Sequence, residues 1–252
     1  MAAAVQRVRK VLEAVAVGRD RWGPNRLLGL TNGQAGLYLE ILAAFAGGGT
    51  PVSGFLKALG AQQELPYGDA LAALEAKDLL RRDKTGAIVR AQPFSAIPTR
   101  HRVELIGRPA QFATCAIDAI AQPYMFSSPG LVHSLDPISC RQVTLSIRPY
   151  RQPIAQPNTA VAVIGRPRHS SRSVCESIHL FLSNAAAQHF VAHNEWLVAH
   201  VLNLKEAVIA SQVIFSGPLS SSAWPTDIGE HMCLRTAEAS PKIRSVDDRA
   251  LN

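Results

Sequence analysis

Two thiols and one carboxylate are the residues of this chain best suited to chemistry. Cys115 and Asp118 sit three apart in Phe112-Ala113-Thr114-Cys115-Ala116-Ile117-Asp118-Ala119-Ile120, an otherwise apolar stretch. Sixty residues after Cys115, Cys175 opens a second apolar run, Ser173-Val174-Cys175-Glu176-Ser177-Ile178-His179-Leu180-Phe181. An acid within an Ala/Ile segment is costly to bury unless it is paired or used. Thiolates suit a soft metal ion, and a carboxyl group beside them suits proton transfer. A helix over 112–121 would put Cys115 and Asp118 on one face, and the fold would have to bring Cys175 to them. A competing chemistry uses a cysteine nucleophile with Asp118 as its acid–base partner. Taken singly, Cys115 reads as a packing residue, since free cysteine is often buried. Asp118 alone reads as a helix residue at a solvent edge, His179 as a satisfied core histidine, Cys140 as structural and Pro123 as a helix terminator or kink.

The elements that must position these groups fall into two parts. Residues 1–17 read as a helix with Val5, Val8, Leu12 and Val15 on one face, and 18–30 as a Gly/Pro/Arg linker. Helices are expected over 34–45, 52–59 and 67–77, with Gly47-Gly48-Gly49 ending the first and Pro51 near the start of the second. A β-hairpin over 79–89 turns at Lys84-Thr85-Gly86. Three helices followed by a two-stranded wing form a winged-helix arrangement. Its third helix carries Asp69, Glu75 and a single Lys77, without the Arg, Asn and Gln of a base reader, so DNA binding by it is not expected. Downstream, strands are expected over 142–147, 159–164 and 177–182, the last apolar enough to be central. A helix, or two, is expected over 185–200, and 206–215 fits either helix or strand. The fold class is α+β: a winged-helix-like module followed by a mixed α/β domain. The division is 1–30 basic helix and linker, 31–95 winged-helix-like module, 96–219 the mixed α/β domain and 220–252 a poorly ordered polar tail containing Cys233.

Composition narrows the class. At 252 residues and 47% hydrophobic, the chain can bury a sizeable core. No apolar run reaches the roughly 18 residues of a membrane helix, and Glu13, Gly18 and Arg19 interrupt any secretory core. The four cysteines are widely spaced with no CxxC, so a zinc knuckle is not indicated and reduced thiols in the cytoplasm are expected. The net charge of +7 is uneven: Arg141, Arg148, Arg151, Arg166, Arg168 and Arg172 lie in a stretch with no acid. The stretch reads as a solvated basic surface, with two alternatives: a nucleic-acid surface, or local support by Arg172 for a thiolate at Cys175.

These motifs resemble the organomercurial (alkylmercury) lyases. That family has a winged-helix-like N-terminal part and a mixed α/β catalytic domain. Its Cys-Ala-Leu-Asp motif is matched by Cys115-Ala116-Ile117-Asp118, and its Ser-Phe-Cys motif by Ser173-Val174-Cys175 with His179-Leu180-Phe181 following. Cys140 fits the place of a further family cysteine given a structural role, and Trp196 that of a later tryptophan. The likeness covers roughly 30–218. It departs at Glu176, where the family often has a second cysteine; an acid there could raise the pKa of its neighbour or act as another ligand. The resemblance implies protonolysis of a carbon–mercury bond, with Cys115 and Cys175 binding mercury and Asp118 moving the proton and contributing to the metal site. It implies no resident cofactor. Hg(II) is a bound product, an external thiol is a co-reactant, and cellular thiols or a mercuric reductase accept the metal. No nucleic acid or membrane partner is expected. A metal-binding regulator or carrier of the same fold without turnover, or a relative acting on another small molecule, is the alternative.

Overall fold

The structure, a computed structural model, describes residues 2–15, 27, 29–49, 66–149, 151–169 and 174–219. The chain opens with helix α1 (Ala2–Val15), which buries Val8, Val11, Leu12 and Val15. Helix α2 (Asn32–Ala46) starts at a capping box: Thr31 accepts from the Gln34 amide, and the Gln34 side chain accepts in return from the Thr31 amide. It ends at Gly47 and Gly48, the latter at φ +85°, a conformation that glycine adopts without penalty. A side chain on Gly48 would also meet Pro109 at 2.6 Å. Helix α3 (Tyr67–Ala76) buries Ala70, Leu71 and Leu74, as its period requires. The hairpin strands β1 (Leu80–Arg82) and β2 (Ile88–Ala91) follow, with the Asp83 carboxylate accepting the Thr85 and Ala87 amides in the turn. These elements stand in winged-helix order, but the second helix of that arrangement, over 52–59, lies outside the described residues, as does the tail over 220–252.

The hairpin is not a free wing. It continues through β3 (Phe94–Ser95) into an antiparallel sheet with β4 (His101–Leu105), β5 (Gln111–Ala113), β6 (Gly130–Leu135), β7 (Gln142–Ile147) and β8 (Ile154–Gln156). The order is β1-β2-β3-β5-β4-β6-β7-β8. A second antiparallel sheet sets β9 (Val161–Pro167) between β10 (His179–Phe181) and β11 (Leu197–Asn203). Helices α4 (Ala116–Met125) and α6 (Leu204–Leu219) pack together between the sheets, while α5 (Asn184–Ala192) lies beside β9 and β11. One apolar core runs through both sheets and includes residues of α1, α2, α3, α4 and α6. Among the described residues no helix is long and apolar enough to cross a membrane.

Several elements differ from the sequence expectation. The helix expected over 112–121 begins only at Ala116, because Phe112 and Ala113 pair in β5 and Cys115 is extended at φ −153°. Pro123 lies within α4, which runs on to Met125. The strand expected to be central, 177–182, is the edge strand β10, and β9 is central. The helical run expected over 185–200 ends at Ala192. Its second half is β11, where Val198 and Ala199 pair with Arg166 and Gly165. The ambiguous 206–215 segment is helical, opened by reciprocal bonds between Asn203 and Glu206, each 3.0 Å. Glu206, buried in that turn, also pairs with Arg7 of α1 at 3.0 Å.

Candidate active site

The site forms where β5 gives way to α4. Cys115 is the N-cap of α4, and its Sγ accepts the backbone N–H of Asp118 at 3.4 Å. The cap therefore places thiol and carboxylate together at the first turn. Cys175 comes from a single 3-10 turn, Val174–Ser177, held against the same helix end. The Ala116 amide donates to the Ile178 carbonyl and the Ile178 amide to the Cys175 carbonyl, each at 3.3 Å. As a result one ligand atom from each of Cys115, Asp118 and Cys175 lies within 4.8 Å of the others. Cys115 is 1% exposed and Asp118 4%, whereas Cys175 is partly open.

Neutral donors surround the carboxylate and the sulfur. The Thr114 hydroxyl donates a short hydrogen bond to Asp118 Oδ2 and lies 3.7 Å from Cys175 Sγ. Cys175 Sγ is itself 3.9 Å from Asp118 Oδ2. The Gln92 amide Nε2 approaches Cys175 Sγ at 3.6 Å, and the Tyr38 hydroxyl bonds to the Gln92 carbonyl. Burial pushes the Cys115 thiol well above its ordinary pKa, and the adjoining Cys175 and the Asp118 charge add to the effect. Cys115 therefore stays protonated in the free protein. Two thiols and a carboxylate at this separation can hold a soft ion and pass a proton beside it.

The other residues singled out from sequence lie elsewhere. Cys140 is free and exposed in the Asp136–Cys140 turn, at φ +55°, so its sulfur packs into no core. Glu176 is exposed and is not among the converging ligand atoms. His179 is largely buried against Phe181, Phe190 and His101, with a pKa pushed down by burial to about 4. Its ring hydrogen-bonds the Glu176 backbone, while Nδ1 has no hydrogen-bond partner among the described residues. The Trp196 indole donates to Asn194 at 2.9 Å. Arg141, Arg148, Arg151 and Arg168 are exposed, in keeping with a solvated basic surface. Arg172, Ser173 and Cys233 lie outside the described residues. Sequence reasoning passed over Thr114, Gln92 and Tyr38. Thr114 stood inside the motif, whereas nothing local marks the other two.

Comparison with known proteins bears on the same segment. Residues 94–216 match the alkylmercury lyase family. Among solved structures, the chain is similar to the crystal structure of the mercury-bound form of MerB2, at 17% identity and a TM-score of 0.62, covering 87% of this chain and 100% of that one. At that identity the likeness speaks for the mixed α/β fold. No curated protein matches the chain. The stretch from 94 to 216, which holds Cys115, Asp118 and Cys175, is thus a segment of the alkylmercury lyase family, a family of carbon–mercury lyases.

Proposed function

We propose that the chain is an organomercurial lyase, releasing a hydrocarbon by protonolysis and leaving Hg(II) on two thiolates. The observation that carries this reading is the convergence of Cys115, Asp118 and Cys175 within 4.8 Å in a segment of that family. The substrate arrives as an organomercury adduct of an external thiol. Cys175, the more open thiol, attacks first. Its S–Hg bond forms, the bond to the external sulfur breaks, and the external group leaves as a thiol with the Cys175 proton. Cys115 binds next and brings the proton that its burial has kept on it. That proton passes to Asp118 as the second S–Hg bond forms. Two thiolates raise the electron density on mercury, the carbon leaves with the pair of the C–Hg bond, and Asp118 returns the proton to it. One organomercury thiolate and two cysteine thiols thus become one hydrocarbon, one Hg(II) dithiolate and one free thiol. Further external thiol then removes Hg(II), for which a mercuric reductase is a fitting acceptor.

The surrounding architecture is read to match. The segment 31–95 is a winged-helix-like module, supported by the order of α2, α3 and the β1–β2 hairpin. The segment 96–219 is the catalytic domain, following a basic helix and linker over 1–30. The protein acts in the cytoplasm, in mercury resistance. The test is native mass spectrometry after adding one equivalent of phenylmercuric acetate without external thiol. A gain of one mercury with two protons lost, and no phenyl group, is expected. Mercury retained with its phenyl group would mean a carrier without turnover.

A further inference from the structure

Gln92 lies just outside the family segment at 94–216, yet it reaches the candidate site. It is 4% exposed, and its backbone is fixed at both ends: its amide donates to the Leu79 carbonyl at 2.9 Å, and its carbonyl accepts the buried Tyr38 hydroxyl of α2. With the backbone so held, the side-chain amide points at Cys175 Sγ, 3.6 Å away. The Thr114 hydroxyl and the Cys115 thiol also lie near that sulfur, but the hydroxyl has a single proton, and it is directed to Asp118.

We infer that Gln92 is a positioning residue: its N–H holds the Cys175 sulfur towards Cys115 and Asp118 and stabilises negative charge on that sulfur when it ligates a metal. The inference rests on Cys175 being a mercury ligand. A neutral amide suits the task, because a cationic side chain would instead pair with the nearby Asp118 carboxylate. Helix α2 and the residue that follows β2 therefore contribute to the site through Tyr38 and Gln92.

Gln92→Leu removes the N–H, stays close in bulk and brings no new ligand to a soft metal. Wild type and variant are loaded with Hg(II) and titrated with dithiothreitol, and the mercury NMR resonance of each is recorded. Gln92→Leu should yield Hg(II) at about tenfold lower dithiol, the scale of one hydrogen bond to a charged group, and its mercury resonance should shift. A side chain that merely fills space would move neither. Tyr38→Phe, which frees the Gln92 carbonyl, should lose Hg(II) to a smaller extent, and it decides the matter by the same readouts if Gln92→Leu does not fold. Equal retention and an unmoved resonance overturn the role of Gln92. A wild-type protein that holds no Hg(II) overturns the lyase reading with it.

Discussion

Cys115 caps the helix that carries Asp118: the sulfur of one accepts the backbone N–H of the other at 3.4 Å. A residue proposed to bind metal therefore also closes a helix end, and the two duties can be separated by substitution. Cys115→Ser retains a cap acceptor and removes the soft ligand. It should unfold in urea close to wild type and bind Hg(II) far more weakly. Cys115→Ala loses the cap as well and should cost about 1 kcal/mol. Equal stability losses for Ser and Ala would show that the cap contributes nothing.

Thr114 gives its proton to the carboxylate that the mechanism uses. Thr114→Val is close to isosteric and leaves Asp118 without that donor. Hydrocarbon release should slow by about tenfold, the scale of one charge-assisted hydrogen bond, while Hg(II) binding is retained. Steady-state rates beside Hg(II) titrations check this, and an unchanged rate would remove Thr114 from the account.

Two buried histidines set an acid limit. Burial, with His179 and Arg100 adding to it, pushes His101 down to about 3, and burial pushes His179 down to about 4. Both are depressed from about 6.5, so between pH 6.5 and those values the unfolded chain binds more protons than the folded one. Their stability contribution is present above pH 6.5 and is lost as pH falls through this window, by up to roughly 1.4 kcal/mol per pH unit for each histidine. Melting temperatures should be level above pH 7 and fall between pH 6.5 and 5, above the carboxylate range. His101→Gln should flatten that fall, and an unchanged slope would contradict the assignment.

The site was legible where residue chemistry is rare and the spacing short. A thiol and an acid three apart in an apolar stretch stand out, and the structure brings Cys175 to them. The α1, α2 and α3 helices were legible from apolar period and glycine punctuation. The strands β4 and β6 were not. β6 turns Ser134 inward and Leu131 and Leu135 outward, reversing the polarity that alternation relies on, and β4 buries His101, which bonds to Ser134 across the pair. β11 reads as helix in the sequence because its half-buried residues follow α5 without a glycine or proline stop. Gln92 and Tyr38 gave no signal because their contacts span 83 and 54 residues, and only the folded chain makes them.

The central claim is that two thiols and one carboxylate cleave a carbon–mercury bond. Benzene released from phenylmercuric acetate in excess thiol tests it most directly, with wild type run beside Cys115→Ala, Cys175→Ala and Asp118→Asn. The account predicts many turnovers in wild type and none above background in each variant. Mercury binding by wild type without benzene, or turnover that survives the loss of either cysteine, would contradict it.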